Sequence, residues 1–153
     1  MVCLSRYKKR YTAEEIDQIV RRFNEDSLPK AQWTHHAHLI VAFWYNATYP
    51  NFEEAFQLVK AKIISYNEAV GTPNTKDAGY HETITRFWMI ITKNFSLDYP
   101  HIELALNEFL KTPASYKRHP LRFYSRHRLY SADARQQFLT GDLKLVQLLS
   151  STH

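Results

Sequence analysis

Three of the chain's eight histidines lie within four residues, and imidazole is a side chain that can bind a transition metal or move a proton. They are His35, His36 and His38. Residues three apart on an α-helix differ by about 60° in direction, so we expect His35 and His38 to project together with room for one ion between them. His36 would point about 100° away and is the poorest candidate of the three. Thr34 could cap this helix or hold the tautomer of a neighbouring imidazole.

A second stretch places an acid beside another histidine. His81 and Glu82 are neighbours near the predicted start of a helix, so one can point into the bundle while the other bends round. The predicted metal ligands are His35, His38, His81 and Glu82. This set would leave a position open for water, as a catalytic divalent transition metal needs, with zinc or iron the first choices. Glu82 is then the predicted acid or base, and the phenols of Tyr80 and Tyr45 are predicted proton donors.

The same residues have a structural interpretation. Histidines on a mostly apolar helix often donate a hydrogen bond to a carbonyl or carboxylate within the core, and His-x-x-His alone is a weak pattern. Glu82 in a first helical turn would also complement the helix dipole without any catalytic role. Spacing alone leaves both interpretations open.

The composition predicts one folded domain, residues 1–153. A chain of this length, with 44% hydrophobic residues, can bury roughly two thirds of its unfolded surface without disulfides or metal. The longest apolar run, Leu39 to Tyr45, is far shorter than the ~20 residues that span a bilayer. Met1 to Arg10 lacks the apolar segment of a signal peptide, and Cys3 is the only cysteine. We therefore expect a cytoplasmic protein that does not act at a membrane.

Helix-start signals and a low glycine content, three in all, favour an all-α fold. Thr12 and Asn51 each begin a capping-box pattern, and Gly71 suits the position after a helix. Helices are expected from Thr12, from about Ala31 to Ala47, from Asn51 to Val70, from about Tyr80, and after Pro100. Beyond Thr112 the pattern weakens, with a turn at Pro120 and a helix capped by Ser131 that runs through Phe138. The predicted fold is a single-domain helical bundle of about five to seven helices with an irregular C-terminal lobe.

The segment from Tyr116 to Tyr130 interleaves cations with aromatic rings. Such a segment can contact phosphates and stack bases, or it can lay its long side chains over an apolar lobe, which is the commoner arrangement. Arg126, Arg128 and Arg86 could instead clamp the carboxylate or phosphate of a substrate.

Two motifs together resemble those of an uncharacterised family of small bacterial all-helical proteins. They are Trp-Thr-His-His-Ala-His-Leu at 33–39 and Tyr-His-Glu-Thr-Ile-Thr at 80–85. In that family Thr-His-x-x-His-Leu is followed by Tyr-His-Glu-Thr-x-Thr. The resemblance covers Trp33 to about Trp88 and implies a shared polar site, but no reaction. It assigns to the pattern Thr34, His35, His38, Leu39, Tyr80, His81, Glu82, Thr83 and Thr85. The chain also resembles, more faintly, the HD-type phosphohydrolases, which are all-helical and bind metals. The pair His81-Glu82 is similar to the His-Asp pair of that family, with glutamate in place of aspartate.

Two functions are therefore predicted for one pocket. The first is a metal-dependent enzyme or metal-binding protein that acts on a small anionic molecule, and the second is a metal-free protein that binds a small molecule through the same residues. A nucleic-acid-binding module that uses residues 117–128 is less favoured, because no nucleic-acid-binding motif is recognisable. The aromatic residues Trp33, Phe43 and Trp44 could lie in the core or at a homodimer interface, so a homodimer is left open.

Overall fold

A computed structural model describes residues 9–149, and they form a bundle of α-helices with no strand among them. The α-helices are α1 (Ala13–Asn24), α2 (His35–Thr48), α3 (Phe52–Ala69), α4 (Glu82–Ser96), α5 (Ile102–Leu110), α6 (Arg126–Leu129) and α7 (Ala132–Gln136). Turns of 3₁₀-helix lie at Lys30–Gln32, Pro113–Ser115 and His119–Arg122. The all-α prediction is confirmed. Cys3 and most of the N-terminal stretch considered for a signal peptide lie outside the described residues.

Side-chain caps fix where most of the helices begin. Thr12 accepts a hydrogen bond from the Glu15 amide at 3.1 Å, and the Glu15 carboxylate accepts one from the Thr12 amide at 3.0 Å, which completes the predicted capping box. Asn51 accepts from the Glu54 amide at 2.9 Å, the first half of the predicted box at the start of α3. The helix predicted from Ala31 begins later, at His35, because Thr34 caps α2 and a 3₁₀ turn precedes it.

α2 is the central helix and contacts α1, α3, α4 and α5. It is apolar on nearly all sides, as a helix enclosed by neighbours must be. Its buried residues Leu39 and Phe43 belong to one core cluster, with α4, α5 and the C-terminal lobe. Val41 and Ala42 belong to a second cluster, with α1 and α3.

The C-terminal lobe, residues 113–149, is fastened to the start of α4. Thr83 is fully buried and its hydroxyl donates to the Gln137 carbonyl at 2.9 Å while accepting from the Leu139 amide at 3.1 Å. The His81 ring reaches the Leu129 carbonyl at 2.9 Å. The lobe therefore has a fixed position beside α2 and α4, although its helices are short. Within residues 9–149, no helix combines the length and hydropathy needed to cross a membrane.

Candidate functional site

His35 is the first residue of α2 and faces the C-terminal lobe. Its Nε2 lies 2.7 Å from the Ser115 carbonyl oxygen. A carbonyl only accepts, so Nε2 carries the proton and Nδ1 keeps a lone pair. The ring meets Trp88 edge-on, with 5.0 Å between centroids. Burial lowers the pKa of His35, so the ring is neutral at pH 7.

His38 lies one turn further along α2 and is also committed to the main chain. Its Nδ1 donates to the Thr34 carbonyl at 2.7 Å, and its ring stacks on Trp33 with centroids 3.7 Å apart. Burial lowers its pKa to about 4. Thr34 performs both functions proposed for it, because its hydroxyl caps the helix at the Ala37 amide and its carbonyl fixes the His38 tautomer.

His81 uses both of its ring nitrogens on the backbone. It is the N-cap of α4, where Nδ1 accepts from the Ile84 amide at 3.1 Å. Its Nε2 donates to the Leu129 carbonyl at 2.9 Å. Burial lowers the pKa of His81 to about 4, and the nearby charge of Arg135 adds to this. No lone pair of this ring is left for a metal.

Glu82 turns away from the histidines toward α3. Its Oε1 accepts from the Tyr80 hydroxyl at 2.8 Å and lies 3.0 Å from the Lys60 ammonium. Burial, followed by this carboxylate, raises the pKa of Tyr80, so the phenol holds its proton. Tyr45 donates to Asn24 on α1 at 2.7 Å, and burial raises its pKa to about 12. These three predicted proton carriers therefore make two structural hydrogen bonds, one between Tyr80 and Glu82 and one from Tyr45 to α1.

The predicted ligand set does not fit a metal in this arrangement. Within residues 9–149, no group of three or more His, Cys, Asp or Glu is placed to hold a metal ion. His35 and His38 each have one nitrogen bonded to a carbonyl, His81 has both bonded, and Glu82 faces Lys60. The three histidines lie on the same side of the bundle, but they do not converge on one position where a metal ion could bind.

The three predicted substrate-binding arginines are separated. Arg86 forms an ion pair with Glu53 and lies over the rings of Phe52 and Phe56. Arg128 donates to the Thr140 carbonyl at 2.6 Å within the C-terminal lobe. Arg126 alone of these three lines a cleft next to His35.

That cleft lies between the start of α2, the turn after α5 and the start of α6. Its volume is about 840 Å³. Its lining residues are Lys9, His35, His36, Leu110, Ser115, Tyr116, Lys117, Arg118, Leu121, Arg126 and Tyr130. We call it the basic chamber, because its described lining includes four cationic residues and no carboxylate. Lys9 forms an ion pair with Glu15 at 3.0 Å, whereas none of the ion pairs within residues 9–149 involves Lys117, Arg118 or Arg126.

A smaller cavity of about 380 Å³ adjoins the basic chamber. Its lining residues are Trp33, Thr34, His35, His38, Ile84, Trp88, Lys117, Pro120, Leu121, Leu129 and Tyr130, and we call it the aromatic chamber. A third cavity of about 400 Å³ is lined by His38, Tyr80 and His81, among others. The motif residues are thus divided, with His35 shared by the first two cavities and His38 by the last two.

Sequence reasoning missed His36 and understated the basic segment. His36 lines the basic chamber, and its Nδ1 lies 3.0 Å from the Tyr11 hydroxyl. Its direction was judged by whether it could join His35 and His38 at one ion, whereas the chamber is lined by His35 and His36 together. The signal for Lys117 and Arg118 was present in the basic aromatic segment, but their position beside His35 depends on how the lobe folds back.

The sequence matches no protein-family model and no curated protein, and no solved structure matches it.

Proposed function

We propose that this protein binds a small anionic molecule in the basic chamber without the help of a metal. The observation that carries the proposal is the group Lys117, Arg118 and Arg126 around a cleft whose described lining contains no carboxylate. Cations that lack an acidic partner attract an anionic ligand, and the guanidinium groups can bind a carboxylate or phosphate through two parallel hydrogen bonds.

The histidines that line the basic chamber are neutral at pH 7. The Ser115 carbonyl fixes the tautomer of His35, and burial lowers its pKa, so the ring adds no charge to the cleft at pH 7. Burial lowers the pKa of His36 as well. Selectivity for anions at neutral pH would therefore come from the lysine and the two arginines, because the Nδ1 lone pair of His35 can accept a hydrogen bond but cannot donate one to an anion.

Metal-dependent action by His35, His38, His81 and Glu82 stays a prediction from the sequence. It would require His81 to give up a hydrogen bond to the main chain, and Glu82 to leave Lys60. The two functions differ in a simple measurement, namely the metal content of the natively purified protein beside His35→Ala and His81→Ala. Stoichiometric metal that is lost in both variants would overturn metal-free binding.

An NMR titration with inorganic phosphate tests the proposed function. The ionic strength is held constant with NaCl, and EDTA is present throughout. We expect saturable shifts of the backbone amides at residues 116–118 and 126. Because a hydrogen bond to a charged group contributes about 1.5–3 kcal/mol, Arg126→Gln should weaken phosphate binding roughly tenfold or more.

Arg122→Gln is the matched control, because Arg122 is an exposed cation of the same segment that does not line the chamber. Its phosphate affinity should stay within about twofold of the wild type, since a distant exposed charge is screened by salt. Equal weakening by Arg122→Gln and Arg126→Gln would mean diffuse attraction to a basic surface, and the absence of any saturable shift would mean no site. Either result contradicts the proposal.

A further inference from the structure

The basic chamber and the aromatic chamber lie side by side. Four residues line both of them: His35, Lys117, Leu121 and Tyr130. Their volumes, about 840 Å³ and about 380 Å³, each lie within the range of roughly 300–1,000 Å³ that small-molecule sites occupy. A ligand that occupies both chambers would contact these shared residues at the boundary.

The aromatic chamber is lined mainly by aromatic and apolar side chains, whereas the basic chamber has four cationic residues in its lining. Trp88 and Leu129 are buried in its wall, and Ile84 is half-buried there. Five of the residues that line it carry planar rings: Trp33, His35, His38, Trp88 and Tyr130. Lys117, which also lines the basic chamber, is the charged residue in the described lining of the aromatic chamber.

Contacts among the rings hold these walls in place. Trp33 stacks against His38 and against Phe23, with centroids at 3.7 Å and 4.6 Å. His35 is held edge-on to Trp88 at 5.0 Å by its bond to Ser115. Walls of fixed aromatic planes favour a flat apolar guest, because rings prefer offset-stacked or edge-to-face neighbours at centroid distances of roughly 4.5–7 Å.

We infer that the ligand is an aromatic acid, whose ring occupies the aromatic chamber while its carboxylate or phosphate lies among Lys117, Arg118 and Arg126. This inference rests on the proposed function, because it takes anion binding in the basic chamber as given. It adds the chemical class of the ligand. Apolar burial supplies most of the affinity, and the cations fix the orientation and exclude uncharged rings.

The test compares four probes by NMR: phenyl phosphate, inorganic phosphate, benzyl alcohol and benzoate. Burial of a phenyl ring should make phenyl phosphate bind on the order of tenfold or more tighter than inorganic phosphate. The indole N–H signals of Trp33 and Trp88 should shift with phenyl phosphate. Trp44 is the internal reference, because it lines neither chamber. Benzoate, run beside phenyl phosphate, then shows whether a carboxylate or a phosphate is the preferred anionic group.

Two variants separate the anionic and aromatic parts of the ligand. Arg126 lines only the basic chamber of the two, so Arg126→Gln should weaken phenyl phosphate and inorganic phosphate by the same factor. Ile84 is half-buried and lines the aromatic chamber but not the basic one, so Ile84→Ala removes apolar surface from the aromatic chamber alone of the two. It should weaken phenyl phosphate several-fold and leave inorganic phosphate unchanged.

Failure of this inference is distinguishable from failure of the proposed function. If phenyl phosphate binds no tighter than inorganic phosphate and the signals of Trp33 and Trp88 do not move, the ligand class is wrong while anion binding stands. If benzyl alcohol binds as tightly as phenyl phosphate, the anionic group takes no part and the inference is overturned. If no anion binds, the proposed function itself fails.

Discussion

A neutral imidazole offers one N–H donor and one lone pair, and His81 uses both on the main chain. The lone pair caps α4, and the N–H joins this helix to the C-terminal lobe at Leu129. Single residues of the second motif thus connect elements that are distant in the sequence. Thr83 makes the same kind of connection, to Gln137 and Leu139.

We predict that His81→Ala lowers the free energy of unfolding by roughly 1–3 kcal/mol, the sum of a lost helix cap and a lost buried hydrogen bond. His81→Asn should recover about half of the loss, because asparagine is a good N-cap but its shorter side chain stops short of Leu129. Urea denaturation measures both values. Equal losses in the two variants would contradict the separate roles of the two nitrogens.

Protonation of the buried histidines should destabilise the protein in mild acid. The pKa values of His38 and His81 are about 4 in the folded chain, compared with the ordinary 6.5. Between these values the unfolded chain binds protons that the folded chain does not, so stability is highest above pH 6.5 and falls as the pH drops toward 4. Burial lowers the pKa of three further histidines, His35, His36 and His119, in the same direction.

The expected result is a free energy of unfolding that decreases from pH 6.5 to pH 4, measured by urea denaturation at several pH values. His81→Asn should make this decrease shallower, since one of the protons is then no longer taken up on unfolding. His127→Asn, at an exposed histidine of α6, is the control and should leave the slope unchanged. A wild-type stability that is flat or rising toward pH 4 would contradict the buried neutral state of these rings.

At the scale of elements, the loop between α3 and α4 positions the start of α4. Gly79 has a φ of +80°, and a Cβ at this position would lie 2.7 Å from the Asn74 side-chain oxygen. Its carbonyl accepts from Arg135 of α7 at 2.8 Å, so the loop also contacts the C-terminal lobe. Gly71, at the other end of the loop, has a φ of +81° but open space around it.

These two glycines form a matched pair for mutation. Gly71→Ala should cost about 1–2 kcal/mol, the penalty of a left-handed backbone for an L-residue. Gly79→Ala should cost at least about 1 kcal/mol more, because backbone and side-chain atoms of the loop must also move aside. Thermal unfolding of both variants checks the order, and equal costs would mean that the loop does not close on Gly79 as described.

Glu82 offers a test of whether α4 carries catalytic or structural chemistry. Its side chain is 15% exposed and its ion pair with Lys60 joins α4 to α3. Glu82→Gln keeps the bond from Tyr80 and should cost no more than about 1 kcal/mol of stability. Because Glu82 lines neither the basic nor the aromatic chamber, the affinity for phosphate should stay within about twofold of the wild type. A tenfold loss of phosphate affinity in Glu82→Gln, measured in the phosphate titration, would indicate that Glu82 belongs to the functional site.

The helices were predictable to the extent that their signals are local. The Thr12 box, the Ser131 cap and the stop at Gly71 depend on neighbours within a few residues, and each occurs where it was predicted. Of the hydrogen-bond partners of His35 and His38, that of His38 is local in the sequence and that of His35 is not. Thr34 is four residues from His38, whereas Ser115 is eighty residues from His35, and no helical periodicity specifies how the lobe folds back. The basic chamber depends on this return of the chain and therefore could not be located from the sequence.

At the scale of the whole molecule, residues 143–149 at the end of the C-terminal lobe, which we call the tail, contact both core clusters. Val146 is half-buried and packs against each of them. The Asn94 side chain of α4 holds the tail just after this contact, donating to the Gln147 carbonyl at 2.8 Å and accepting from the Leu149 amide at 2.7 Å. The neighbouring Leu145 is 58% exposed. Val146 therefore contacts both core clusters, whereas the adjacent Leu145 side chain lies mostly in water.

This difference predicts unequal effects of two small truncations. Val146→Ala should lower the free energy of unfolding by about 1 kcal/mol, since two methyl groups leave a partly buried contact. Leu145→Ala removes more atoms but should change stability by less than about 0.5 kcal/mol, because its side chain already lies largely in water. Hydrogen exchange at the Leu143 and Lys144 amides, which both donate to the Phe123 carbonyl, should also quicken in Val146→Ala. If both variants are neutral and exchange is unaltered, the tail does not tie the two clusters together, and the stability of the bundle comes from its helices alone.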